Sequence, residues 1–145
     1  MTTVAWRDGV LAADSTGDSD GVRVKITKIF PAGKGRYAAM AGDYALGIRY
    51  IRAFAKGETI DLSAEEQKDF HVVIMNPDGS LLECEDGKIA LPIEDRFYAI
   101  GSGRKCALAA MACGKSAIQA VRIAAQFDVN TGGAVIHRRA PKWKR

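Results

Sequence analysis

No apolar run in these 145 residues approaches the roughly 18 needed to cross a bilayer, and the N-terminus lacks the apolar stretch of a secretory signal. A cytoplasmic protein without a membrane partner is expected. Cysteine and histidine are equally scarce. Cys84, Cys106 and Cys113 form an odd set without a C-x-x-C pair, and only two histidines accompany them, so neither a disulfide framework nor a zinc site is indicated. No glycine-rich phosphate-binding loop is present. Charge of one sign is also lacking over most of the chain. The net charge is +4, but Arg138, Arg139, Lys142, Lys144 and Arg145 crowd the C-terminus, and taking those five from +4 leaves −1 for everything before them. Residues 138–145 therefore read as a solvated basic tail, with a nucleic-acid element as the alternative, and nucleic acid is not expected as the main partner.

The chain is 48% hydrophobic and 26% charged, too apolar for disorder and long enough for a core of its own. With no repeat, linker or low-complexity block, residues 1–145 are expected to form one domain. Thr2 to Arg7 and Val10 to Asp14 are β-prone runs joined at Asp8-Gly9, a strong signal for a tight hairpin, and that turn puts Thr2 opposite Ser15 and beside Asp14. Residues 15–22 are polar and turn-rich. Arg23 to Phe30 then alternates as a strand with Lys25, Thr27 and Ile29 on one face, so that Lys25 points inward.

Arg36 to Ala41 is a further strand, and after Gly42-Asp43 the period changes: Tyr44, Ile48, Ile51 and Ala55 recur at helical spacing up to Gly57. Phe70 to Asn76 and Ser80 to Cys84 flank a second hairpin turn at Pro77-Asp78-Gly79. Lys88 to Ile93 and Phe97 to Ile100 are further strands. Lys105 to Cys113 reads as a buried helix, Ser116 and Gln119 as the capping box of another running to Phe127, and Gly133 to Arg138 as a strand. Strands, one helix, strands, two helices and a strand make an α+β domain.

Several segments could carry chemistry. Thr2 follows an initiator methionine whose removal its small side chain favours, leaving an α-amino group beside a hydroxyl; it is otherwise an ordinary second residue. Asp14 at a strand end is a turn residue or a catalytic one. Lys25, facing inward, needs a counter-charge or loses its own, unless it snorkels to the surface. Gly101-Ser102-Gly103 reads as a helix N-cap, and residues 128–133 as a helix end and turn.

In this order and on these elements, the segments resemble the β-type subunits of proteasomes and their bacterial relative HslV, of the N-terminal nucleophile hydrolase class. The resemblance rests on Thr2-Thr3, Ala12-Ala13-Asp14-Ser15, Lys25 before Ile26, Met40-Ala41-Gly42, Ala99-Ile100-Gly101-Ser102-Gly103, and Asp128-x-x-Thr131-Gly132-Gly133, and it spans nearly the whole chain. It implies a four-layer αββα sandwich and a threonine peptidase cleaving unfolded polypeptide with no cofactor. Thr2 would be the nucleophile, its own amine the base, Lys25 the cation that lowers the amine's pKa, and Asp14 the partner of that lysine. Gly42 would present a backbone N–H to the oxyanion, while Ser102, Asp128 and Thr131 position the amino terminus. Met40 and Tyr44 would line the substrate pocket.

The same resemblance implies a homo-oligomeric ring fed by a separate ATPase unfoldase. Two departures stand out: the segment between Asp14 and Lys25 is shorter than the family's, and residues 56–69 leave room for only a turn or two of helix, around Ala64 to Lys68, so the outer helical layer is reduced. The rival reading is a ring subunit that assembles without cleaving.

Overall fold

The computed structural model describes residues 2–63, 70–85 and 90–145. Strands β1 (Thr3–Arg7) and β2 (Val10–Ala13) form the expected hairpin. Its turn residues Asp8 and Gly9 both take positive φ, 50° and 67°, as a two-residue turn that follows strand twist requires. Next come β3 (Thr16–Ser19), β4 (Val22–Lys25), β5 (Ile29–Pro31), β6 (Tyr37–Gly42) and helix α1 (Tyr44–Ala55). Then follow β7 (Phe70–Met75), β8 (Leu81–Glu85), β9 (Leu91–Ile93), β10 (Phe97–Gly101), α2 (Arg104–Ala112), α3 (Ala117–Phe127) and β11 (Ile136–Arg139). The described strands pair antiparallel in a four-stranded sheet ordered β10-β1-β2-β11, a five-stranded sheet ordered β5-β6-β7-β8-β9, and a β3-β4 ribbon.

Three apolar clusters hold these parts together. Val4, Trp6 and Leu11 of the first sheet meet Ile29, Val73, Met75 and Leu81 of the second, so one core lies between the sheets. On the opposite face of the first sheet, Ala5, Ala12 and Ala99 pack against Ala107, Met111, Ala120 and Val121 of α2 and α3. On the opposite face of the second, Met40, Val72 and Ile74 pack against Ile51 of α1. Strand alternation produces this division directly, since Val73 and Met75 face one way and Val72 and Ile74 the other. No helix among the described residues is long and apolar enough to cross a membrane.

The starts of α1 and α3 follow the sequence closely. Asp43 caps α1 by accepting from the Leu46 N–H at 2.9 Å, and the Ser116–Gln119 capping box opens α3 with both of its hydrogen bonds. Helix α2 is one-sided rather than buried all round: Ala107, Ala110 and Met111 face the sheet while Lys105 and Ala109 are exposed. The short helix expected around Ala64 to Lys68, and the first residues of the strand expected from Lys88, lie outside the described residues.

The expected strand from Arg23 to Phe30 is instead two strands in different sheets. Ile26 N–H leaves the ribbon to bond the Ser15 carbonyl at 2.9 Å, and the Lys28 carbonyl already accepts from Met40 N–H beside β6. The break resets the alternation, so the face assigned to Lys25 is the wrong one. Strand β3 was not expected either, because Gly17, Asp18 and Ser19 are poor strand formers. Its pairing with β4 is supported by the turn at Asp20-Gly21, with φ of 51° and 81°.

The C-terminal residues are docked, which corrects the solvated-tail reading for the backbone though not for the charges. Arg138 and Arg139 belong to β11, paired to Leu11 and Val10, and their side chains stay exposed. Beyond them, Ala140 N–H bonds Gly9 O and Lys142 N–H bonds Pro77 O, both at 2.8 Å. The Trp143 indole lies over both hairpin turns, so close that a Cβ on Gly9 or Gly79 would stand 2.5 Å from its ring. Trp6 Nε1–H donates to Gly79 O at 3.0 Å from the other side. The tail thus clamps the β1–β2 turn to the β7–β8 turn. Because Trp143 remains 39% exposed, Trp143→Ala is expected to cost about 2 kcal/mol, less than the 3–5 typical of a fully buried tryptophan, and Lys144→Ala almost nothing. Urea unfolding of the two variants checks this.

Candidate functional site

Asp14 directly follows β2 with 1% of its surface exposed, and a carboxylate so placed needs its lone pairs filled. They are filled from four directions. Oδ1 accepts from Thr3 N–H at 3.1 Å and from Lys28 Nζ at 2.9 Å, while Oδ2 accepts from Gly132 N–H at 3.0 Å and, longer, from Thr16 N–H at 3.4 Å. Lys28, 2% exposed, also donates to Thr16 O at 2.6 Å. Burial pulls the Lys28 ammonium below its ordinary pKa, opposed by its hydrogen bond and charge attraction to Asp14 and by the charge of Asp128.

This is the inward lysine that the sequence led us to place at Lys25. Lys25 itself sits on the ribbon opposite Thr16, exposed to solvent. The sequence holds two Lys-Ile pairs, Lys25-Ile26 and Lys28-Ile29, and an unbroken strand made the first look inward. Choosing the second also lengthens the Asp14-to-lysine segment by three residues, which removes part of the shortening noted above.

Thr2 precedes β1 and is 4% exposed, more buried than a surface hydroxyl. It shares a cleft of about 220 Å³ with Lys28, Met40, Gly42 and Tyr44, together with Gly17, Asp18, Ile26 and Ala41. Four of the residues singled out from sequence therefore converge: Thr2, Met40, Gly42 and Tyr44. Gly42 ends β6 with φ of 92°, a conformation that turns the chain out of the sheet into α1 and that other residues rarely adopt. Met40 is 2% exposed, held under α1, where Gly47 leaves just enough space for its methyl end.

Ser102, Asp128 and Thr131 form a second set on the other side of β1. Ser102 Oγ lies 2.5 Å from Asp128 Oδ2 and 3.3 Å from the Thr2 carbonyl, so its one proton serves either acceptor. Thr131 Oγ1–H donates to the same carboxylate at 2.6 Å. Its proton being committed there, the 2.6 Å contact between Thr3 and Thr131 has Thr3 Oγ1–H as donor. Desolvation pushes the Asp128 carboxyl up, but the hydrogen bonds from Ser102 and Thr131 outweigh it and hold Asp128 below its ordinary value.

Two residues of this set were missed by sequence reasoning. Thr3, fully buried, links β1 to the 128–131 turn, and Gly132 N–H links that turn to Asp14. The second threonine of Thr2-Thr3, on a strand position facing the helices, was the available signal for the first. Ser102 does not cap α2 with its side chain: Gly103 holds the N-cap position without a side-chain cap bond, and the two glycines serve close packing. A Cβ on Gly101, whose φ is 97°, would overlap the Thr2 carbonyl, and one on Gly103 would overlap Thr3 Oγ1. Bare backbone here lets the start of β1 lie directly against the β10–α2 turn.

No family model matches this sequence, and no curated protein matches it. Solved structures do match over nearly its whole length. BPH of Thiobacillus denitrificans is 21% identical with a TM-score of 0.69, covering 96% of this chain and 97% of its own. The same protein in complex with epoxomicin is 20% identical with a TM-score of 0.67, over 96% and 98%. Eukaryotic HslV from Trypanosoma brucei is 17% identical with a TM-score of 0.70, over 94% and 97%. The chain therefore has the fold of HslV and BPH, as the ordered sequence motifs led us to expect.

Proposed function

We propose that this chain is a threonine-type endopeptidase subunit of a self-compartmentalising, proteasome- or HslV-like ring, acting in the cytoplasm on unfolded polypeptide. The observation that carries the reading is a buried lysine–carboxylate pair, Lys28–Asp14, at a cleft that Thr2 also lines. The architecture behind it is a single domain read as a four-layer αββα sandwich with a reduced outer layer, supported by one core between the sheets and one on each outer face.

Removal of Met1 leaves Thr2 with a free α-amine. An ordinary amine pKa of about 7.7–8.0 lets a fraction be neutral near pH 7, and the nearby Lys28 cation favours that neutral form. The amine takes the Thr2 hydroxyl proton as Oγ1 bonds to the scissile carbonyl carbon. Gly42 N–H faces the oxyanion. Collapse of the tetrahedral centre breaks the C–N bond, the amine returns its proton to the leaving nitrogen, and an ester on Thr2 remains. Water, deprotonated by the same amine, releases the acid and regenerates the hydroxyl. Ser102, Asp128 and Thr131 hold the amino terminus in position. No step calls for a cofactor. Ring closure confines the site, and a separate ATPase supplies unfolded chains.

The epoxomicin complex of the structurally similar BPH supplies the probe. Intact mass spectrometry after incubation with epoxomicin is expected to show one adduct on a chain starting at Thr2, and none for Thr2→Ala. Retention of Met1 with no adduct would favour a non-cleaving ring subunit.

The two lysines separate cleanly. Lys28→Ala is expected to lower peptide turnover by at least about 10²-fold, and to cost about 3–5 kcal/mol of stability by leaving Asp14 buried without its counter-charge. Lys25→Ala, on an exposed ribbon, should change turnover less than about twofold. Peptide hydrolysis and thermal melting of both variants read this out, and the reverse ranking would return the role to Lys25.

A further inference from the structure

Among the described residues lining the cleft beside Thr2, two side chains are charged, Lys28 and Asp18. Lys28 is bound to Asp14, and that pair is neutral as a unit. Asp18 is the further charged residue lining the cleft; it is exposed, and it belongs to the ribbon strand β3. Its Oδ1 accepts from Gly21 N–H at 3.1 Å, which fixes the carboxylate against the Asp20-Gly21 turn. Arg23 stands opposite Asp18 in the ribbon register but forms no ion pair with it. Its guanidinium reaches toward Gly132 instead, where a Cβ would lie 4.0 Å from Nη1. Of the other lining residues, Ile26 and Tyr44 offer apolar and aromatic side-chain surface, while Met40 is almost wholly buried and Gly17 and Gly42 present backbone.

A cleft of about 220 Å³ with such walls holds one long side chain, and a carboxylate on its rim favours a cationic end. Lysine and arginine satisfy both demands, because their methylene stems pack on apolar surface while the charged head stays at the solvent edge. We propose that Asp18 makes this cleft select polypeptide segments that place a lysine or arginine side chain beside Thr2. The inference rests on the peptidase reading for its consequence, cleavage next to basic residues, but not for the binding itself. As the carboxylate is exposed, the preference is modest, about fivefold, and is weakened by salt.

Binding is measured on full-length Thr2→Ala protein, which cannot turn over, by fluorescence anisotropy with labelled unstructured peptides that differ at one position: arginine, or its neutral isostere citrulline. The arginine peptide is expected to bind about fivefold tighter. That gap should close when Asp18→Asn, which keeps the Gly21 hydrogen bond, is added. Equal affinity for the two peptides, or a gap that survives Asp18→Asn, overturns the inference. Hydrolysis of the same peptides by the unsubstituted protein gives the second arm. Cleavage without an arginine preference also overturns it, whereas a binding gap without any cleavage sustains it and sinks the peptidase reading alone.

Discussion

The buried pair of Asp14 and Lys28 is the constraint on which the site depends. Two ions with 1% and 2% exposure have given up nearly all of their hydration, a cost of several kcal/mol each that is offset only if every remaining lone pair and proton finds a partner. Here both ions are hydrogen-bonded, and the partners come from separate parts of the chain: Thr3 in β1, Thr16 in β3 and Gly132 after α3. Satisfying one carboxylate thus brings together the start of the first strand, the ribbon and the 128–133 turn. Positional accuracy at Thr2 follows, because Thr3, its immediate neighbour, is fixed both through its backbone to Asp14 and through its side chain to Thr131.

A second set of hydrogen bonds acts on the other flank. Asp128 receives two hydroxyl protons, from Ser102 and Thr131, and Thr131 in turn accepts from Thr3. Hydroxyls aligned in this way polarise one another, and removing Thr131 takes from the buried Thr3 hydroxyl its acceptor. The network also requires close backbone approach. Glycine at 101 and 103 permits it, so the small residues around Ser102 serve the geometry of Thr2 and Thr3 as much as the helix they precede.

Most of the fold was legible because its signals are local. The Asp8-Gly9 turn, the Asp43 cap, the Ser116–Gln119 box and the alternation of β7 each determine an element within a few residues, and each element stands where it was expected. What was not legible depends on distant partners. Strand β3 exists only through pairing with β4, since Gly17 and Asp18 have no intrinsic preference for strand. The break at Ile26 to Lys28 is made by hydrogen bonds to Ser15 and Met40, and no periodicity inside 23–30 records it. The placement of the inward lysine failed for that reason. The basic C-terminus misled in a different way: its charges are indeed solvated, but Ala140 and Trp143 between them anchor the backbone to two turns.

The sign of the cleft follows from the same burial. A lysine and an aspartate that must neutralise each other to be buried contribute little net field to the space outside, whatever their effect on an amine placed beside them. On the proposed peptidase reading, the field a substrate side chain meets is governed by less buried groups, and among the described residues Asp18 lines the cleft without an ion-pair partner. Residues that hold the site together and the residue proposed to set its selectivity are in this way separated by depth. Changes on the exposed ribbon can alter what binds while leaving the buried pair, and with it the position of Thr2, undisturbed.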